Sequence, residues 1–149
     1  MSQQQVYIKN RPVTFEYSIE DKLTAGIILT GSEIKSVREG KVSFNDSYCF
    51  FHDGELWIKS LHIAEYVNAG YAGHDPIRER KLLLNKKELR KWAQKMKEKG
   101  LTIVPLAMYI NEKGYAKLDI GLAKGKKTHD KRESIKKRDT DREMKRFLK

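Results

Sequence analysis

The sequence predicts a mainly-β fold: short antiparallel strands forming a barrel or sandwich, two helices set against them, and a basic C-terminal tail. Apolar residues alternate at period two along much of residues 1–123, as half-buried strands require. Two helix-capping signatures interrupt that alternation. The last twenty-six residues contain twelve basic side chains and too few large apolar ones to build a core.

Val13, Phe15, Tyr17 and Ile19 alternate with Thr14, Glu16 and Ser18, which predicts a strand over this stretch. Thr30 followed by Glu33 is a capping box opening a short helix, which holds Ile34 and Val37 inward and ends at Gly40. Tyr48 and Phe50, then Leu56 and Ile58, flank Asp53-Gly54, a two-residue hairpin turn. Residues 64–81 lack periodicity and read as one long irregular loop carrying His74-Asp75-Pro76 and the basic run Arg78 to Lys81. Asn85 with Glu88 opens a longer helix closed by Gly100, with Leu89, Trp92, Ala93 and Met96 as its apolar stripe. Leu101 to Ile110 is apolar on both faces, as a doubly covered strand would be. After a turn at Asn111 to Gly114, Ala116, Leu118, Ile120 and Leu122 alternate with Lys117, Asp119 and Gly121, which places Lys117 and Asp119 outward.

At 149 residues the chain is sized for one core. Its single cysteine, Cys49, excludes an intrachain disulfide, Met1 to Asn10 does not read as a secretory signal, and no apolar run approaches membrane-spanning length. A cytoplasmic protein is expected. The formal net charge is +11. Residues 1–123 hold nineteen basic and fifteen acidic side chains, against twelve and five in residues 124–149. The tail contains the helix-compatible pairs Glu133–Lys137 and Asp141–Lys145, each worth about 0.2–0.5 kcal/mol. That is too little for an isolated helix, so the tail is expected to be disordered when free and helical on a polyanion.

Catalytic chemistry finds no support. Ser32 and Lys35 have S-x-x-K spacing but stand without the accompanying motifs of the penicillin-recognising enzymes. The histidines His52, His62, His74 and His129 and the lone Cys49 lack paired metal-ligand spacing, so no metal or cofactor is expected. Scattered carboxylates argue against a Mg²⁺ nuclease. Phosphate binding fits better. Basic residues lie on the long helix, at Lys35 and Arg38 one turn apart, in the 78–81 run and along the tail, and each neutralised phosphate releases counterions. The tail lacks the apolar face that a membrane surface would need. Small β-barrels favour structured or splayed RNA over duplex DNA.

The sequence also resembles a known family. The segments that carry the likeness are Asn10-Arg11, Ala25-Gly26 with Gly31 to Arg38, Asp46-Ser47-Tyr48, and His74-Asp75-Pro76 leading to Arg80 to Leu84. They continue with Lys99 to Thr102, Ala123 to Lys127, Asp130 to Glu133 and Arg138-Asp139, in order along nearly the whole chain. It resembles the SsrA-binding proteins (the SmpB family), bacterial partners of transfer-messenger RNA. The resemblance implies a closed antiparallel β-barrel of OB type with flanking helices. It further implies binding to the tRNA-like domain of transfer-messenger RNA, delivery to stalled ribosomes, and a tail lying in the empty mRNA channel against small-subunit rRNA, with no bond made or broken. On that likeness Asn10, Thr24, Leu83 and Lys117 would face the RNA, with Lys126 and Lys127 at the barrel exit and Lys35 and Arg38 as further contacts. The decoding-centre tail would be His129, Asp130, Lys131 and Arg132, with Lys136, Lys137 and Arg138.

Two positions depart from the family pattern. Thr24 stands where the family usually has a glutamate that helps hold the RNA. Phe15 replaces a usual histidine, which suggests packing there. A resident ribosomal RNA-binding protein and an RNA-processing enzyme are the alternatives. The RNA that co-purifies separates the first from a rescue factor, and a cleavage assay tests the second.

Overall fold

The computed structural model describes residues 6–65 and 74–125. Its strands are β1 (Tyr7–Lys9), β2 (Tyr17–Ile27), β3 (Val42–Ser43), β4 (Tyr48–His52), β5 (Glu55–Lys59), β6 (His62–Ile63), β7 (Arg80–Leu83), β8 (Thr102–Ile110) and β9 (Ala116–Gly125). The helices are α1 (Val13–Glu16), α2 (Gly31–Arg38) and α3 (Lys86–Lys99). Seven strands form one sheet in the order β1-β8-β4-β5-β7-β2-β9, while β3 and β6 make a separate antiparallel pair. Because β8 also pairs with β9, hydrogen bonding runs β8–β4–β5–β7–β2–β9 and returns to β8.

Local chemistry fixes the turns. Asp53 (φ 51°) and Gly54 (φ 75°) both take the left-handed backbone that a tight hairpin between right-twisted strands needs, and the register sets Phe50 opposite Trp57. Both helix-opening signatures form: Thr30 accepts from the Glu33 N–H while Glu33 accepts from the Thr30 N–H, and Asn85 and Glu88 repeat the exchange. Gly100 ends α3 in the left-handed conformation, φ 62°.

The inward rows of the strands meet in one core. Leu56, Ile58, Leu82, Ile103, Met108, Leu118 and Ile120 are wholly buried. Truncating any of them to alanine costs about 2–5 kcal/mol. α3 lays Leu89 and Trp92 on this core and α2 adds Val37. Trp92 Nε1 donates to Asp21 Oδ2 on β2 at 3.0 Å, and Lys91 and Lys95 stand 3.8 and 3.5 Å from the same oxygen. Burial pushes the Asp21 carboxyl up, but the Trp92 hydrogen bond, the Lys22 N–H and the two lysines outweigh it and hold it below its ordinary value.

Three expectations need correction. The stretch beginning at Val13 is not a strand from its start: Pro12, with φ fixed near −62°, seeds the single turn α1, and the strand begins at Tyr17. Val13 is buried with Val104 and Ala123, but Phe15 is 79% exposed, so it does not pack as expected. The 64–81 stretch is not all loop, since β7 starts at Arg80; residues 66–73 lie outside the described residues. β9 pairs as far as Lys124 and Gly125, opposite Ser18 and Tyr17. No described helix is long and apolar enough to cross a membrane.

Candidate nucleic-acid interface

In an antiparallel sheet, residues directly opposite one another project from the same face. The registers of β7, β2, β9, β8 and β1 therefore assemble one outward row: Leu83, Gly26, Lys117, Tyr109 and Tyr7. Two residues along the strands runs a second row on the same face, Thr24, Asp119, Ala107 and Lys9, in which Ala107 is covered and buried. Leu83 is 51% and Tyr7 59% exposed, although both are large apolar rings or chains. Tyr7 stacks on Tyr109, with ring centroids 5.9 Å apart and planes 26° from parallel. Gly26 leaves room for Leu83 to lie over β2, since a Cβ at Gly26 would stand 3.3 Å from the Leu83 Cβ.

Four of the expected RNA-facing residues thus share one surface. Lys117 and Leu83 belong to the first row and Thr24 to the second. Asn10 follows Lys9 beside it, but its amide is already engaged: Nδ2 donates to the Pro105 carbonyl at 2.8 Å, and its own N–H bonds to Leu106 O. This clasp meets β8 at the register shift between Pro105 and Ala107. Thr24 Oγ1 donates to Asp119 Oδ1 at 2.8 Å, so a carboxylate stands beside position 24 but comes from the neighbouring strand. Lys35 and Arg38 are exposed on α2. The Arg38 guanidinium lies near Gly114 in the β8–β9 turn, 3.8 Å from where a Cβ would stand. Lys126, Lys127, His129, Asp130, Lys131, Arg132, Lys136, Lys137 and Arg138 lie outside the described residues.

Between Tyr7 and Asp119 the surface sinks into a groove of about 560 Å³, lined by Tyr7, Lys9, Asn10, Lys22, Thr24 and Asp119 among others. The sequence reading passed over Tyr7, Tyr109, Lys9 and Lys22. Pairing register was the missing signal, since it is a long-range quantity.

The basic run in residues 78–81 does not supply the expected free cations. Arg80 is wholly buried, where Nε donates to Glu33 Oε2, Nη1 to Leu61 O at 2.7 Å and Nη2 to Pro76 O at 3.2 Å. Arg78 Nη2 donates to Glu33 Oε1 at 2.6 Å. Lys81 lies 3.8 Å from Glu55. Burial pushes the Glu33 carboxyl up, but the Arg78 hydrogen bond, the Thr30 N–H and the Arg80 charge together hold it below its ordinary value. Burial likewise lowers the Arg80 guanidinium against the opposing pull of Glu33. These arginines bind α2 to β7 rather than to phosphate.

His74 belongs to the same joint. Its Nε2 donates to the Ile63 carbonyl at 2.9 Å, and its Nδ1 lies in hydrogen-bond contact with Ser32 Oγ at 2.9 Å. The ring is oriented by a carbonyl rather than a carboxylate, since Asp75 Oδ1 instead accepts from the Ile77 N–H. The Ser32–His74 pair therefore lacks the third member of a hydrolytic relay. Among the described residues no cluster of three His, Cys, Asp or Glu side chains could hold a metal ion. Cys49 is buried, and burial pushes its thiol well above the ordinary range.

The family model for SmpB protein matches residues 7–149. The chain belongs to the SmpB family. A protein of Bacteroides thetaiotaomicron named SsrA-binding protein is 56% identical over 149 residues, covering 100% of this chain and 99% of that one. The SsrA-binding protein of Phocaeicola vulgatus is 58% identical over 144 residues, covering 97% of this chain and 96% of the relative. Among solved structures, a chain described under the words "tmRNA-SmpB: a journey to the center of the bacterial ribosome" superposes with a TM-score of 0.71 at 50% identity. It covers 85% of this SmpB-family chain and 88% of its own length.

Proposed function

We infer that this chain binds the tRNA-like domain of transfer-messenger RNA and delivers that RNA to stalled ribosomes, where trans-translation tags the unfinished peptide. The observation that carries this reading is the near full-length match to relatives named SsrA-binding protein and to a chain described as tmRNA-SmpB of the bacterial ribosome. The outer face supplies compatible chemistry, with lysines for phosphates and a tyrosine on which a base can stack.

Under this reading the returning ring of strand pairings is a closed OB-type barrel that presents Asn10, Thr24, Leu83 and Lys117 to the RNA. Lys35 and Arg38 extend the contact at the α2 end, and Lys126 and Lys127 continue it where β9 leaves the sheet. His129, Asp130, Lys131 and Arg132, with Lys136, Lys137 and Arg138, occupy the empty message channel beside the decoding centre. The protein acts in the cytoplasm as a binding factor rather than an enzyme. It takes no cofactor, and DNA and membranes are not its partners.

Replacing Asp130, Lys131 and Arg132 together by alanine is expected to leave transfer-messenger RNA binding intact and abolish tagging on stalled ribosomes. Sequencing the RNA that co-purifies with the chain should find one dominant small stable RNA. Predominantly ribosomal RNA would instead favour a resident ribosomal protein.

A further inference from the structure

We propose that Asp119 is a specificity-determining residue of the RNA face: its carboxylate, held by Thr24, reads the Watson–Crick edge of one unpaired guanine seated on Tyr7. The proposal rests on the RNA-binding reading above and adds to it a residue and a base.

The argument starts from the cost of a carboxylate at this place. Lys9 shares its outward row, Lys117 lies two residues along β9, and Lys22 lines the same groove. A surface built to meet phosphates loses attraction for every RNA alike when a negative charge is set within it. Among the described residues Asp119 is not neutralised by an ion pair. Its partner there is Thr24, whose Oγ1 donates to Oδ1 at 2.8 Å. A β-branched side chain on a strand has few rotamers, so Thr24 is a stiff support. Oδ2 and the second lone pair of Oδ1 remain as acceptors toward the groove.

An acceptor in an anion-binding groove is useful against a donor. Among the bases, guanine alone offers two adjacent donors, N1–H and the N2 amino group, on its Watson–Crick edge, and a carboxylate matches them with two oxygens. That edge is free only in an unpaired base, and proteins read RNA sequence mainly there. The groove has the matching shape. Tyr7 and Asp119 both line it, with Leu106 and Leu23 among the apolar residues between them, and Tyr7 is 59% exposed and backed by Tyr109 at 5.9 Å. Lys117 stands two strands from Tyr7, roughly 10 Å at ordinary strand spacing, within reach of a phosphate of the same or the next nucleotide.

The competing account makes Thr24–Asp119 a cross-strand pair that serves only the sheet. Asp119→Asn separates the two, because it keeps the side-chain size and removes the charge. The full chain and this variant would be titrated with the tRNA-like domain RNA, with an unrelated RNA of equal length, and with the pentanucleotides UUGUU, UUIUU and UUAUU. Inosine lacks the N2 amino group. The expected result is about a tenfold loss for the tRNA-like RNA, unchanged or tighter binding of the unrelated RNA, and loss of the preference for UUGUU over UUIUU and UUAUU. Equal tightening toward every RNA, or no guanine preference in the unaltered chain, overturns the proposal. Thr24→Val tests it from the other strand. It keeps the charge but frees the carboxylate, and should weaken the guanine preference without tightening binding to unrelated RNA. Failure of the unaltered chain to bind the tRNA-like RNA would defeat the functional reading itself, a result distinct from a chain that binds it while ignoring Asp119.

Discussion

Arg80 and Lys117 lie on strands of the same sheet, and the chain uses their charges in opposite ways. Arg80 is enclosed, with its donors divided between the Glu33 carboxylate and the carbonyls of Leu61 and Pro76. It joins α2, β7 and the segment before β7 into one joint. Lys117 projects from the outer face between Gly26 and Tyr109, on a surface with an exposed tyrosine and a shallow groove. The first cation is spent on the fold, where low dielectric makes its partner indispensable. The second stays half-exposed on the outer face. Composition counts both as one positive charge, so a basic residue becomes a candidate contact only after its burial and its acceptors are known.

Removing Glu33 should give the largest effect. Glu33→Ala leaves Arg80 buried without a counter-charge, which costs about 3–5 kcal/mol in chemical denaturation. The affinity of the remaining folded protein for RNA should stay nearly unchanged. Replacing Glu33 and Arg80 together by leucine and methionine should recover part of the loss, because the fully buried charge is gone, while half-exposed Arg78 and the Thr30 N–H still lose their shared acceptor. The joint also predicts a pH dependence. In the folded protein the Glu33 carboxyl lies below its ordinary value of 4.5, so the folded state binds this proton less readily than the unfolded chain. Its contribution is complete above that value and is lost as pH falls through the lower, folded value. Glu33→Gln should flatten this acid limb. An unchanged limb would mean that other carboxylates, Asp21 among them, dominate it.

How much of this contrast could be read from the sequence depended on range. The capping boxes at Thr30 and Asn85, the Asp53-Gly54 turn and the alternation after Ala116 are set by residues within a few positions of one another, and each forms as read. Alternation failed at Val13 because Pro12 set a helical turn that period two does not detect. Glu33 was read correctly as a cap residue, but its second task, pairing with arginines 45 and 47 positions away, has no local signature. The outer face was legible in parts: Lys117 and Asp119 were outward by parity, whereas Tyr7 and Lys9 join them only through the β1–β8–β9 register.

Lys117→Ala sharpens the comparison from the other side. Stability should change little, and RNA affinity should fall by about 1 kcal/mol, roughly fivefold, the net value of one ordinary hydrogen bond at a solvated site. The dependence of log affinity on log salt should also lose about one unit of slope, because one phosphate fewer is neutralised. An unchanged salt slope would remove Lys117 from the interface. Loss of stability without loss of affinity would return it to the class of Arg80.

Asn10 tests the boundary between the two classes, with the smallest expected effect. It borders the groove, yet its Nδ2 is committed to the Pro105 carbonyl, a group on β8 beside the register shift. Asn10→Ala should cost about 0.5–1.5 kcal/mol of stability, the net value of a neutral hydrogen bond. Its effect on RNA should arrive through β1, because the clasp holds that strand and with it Tyr7 and Lys9. Asn10→Ala and Tyr7→Ala should therefore be non-additive in RNA affinity, since the first already disturbs the platform that the second removes. Additive losses would instead give Asn10 a contact of its own through Oδ1, and the residue would then belong with Lys117.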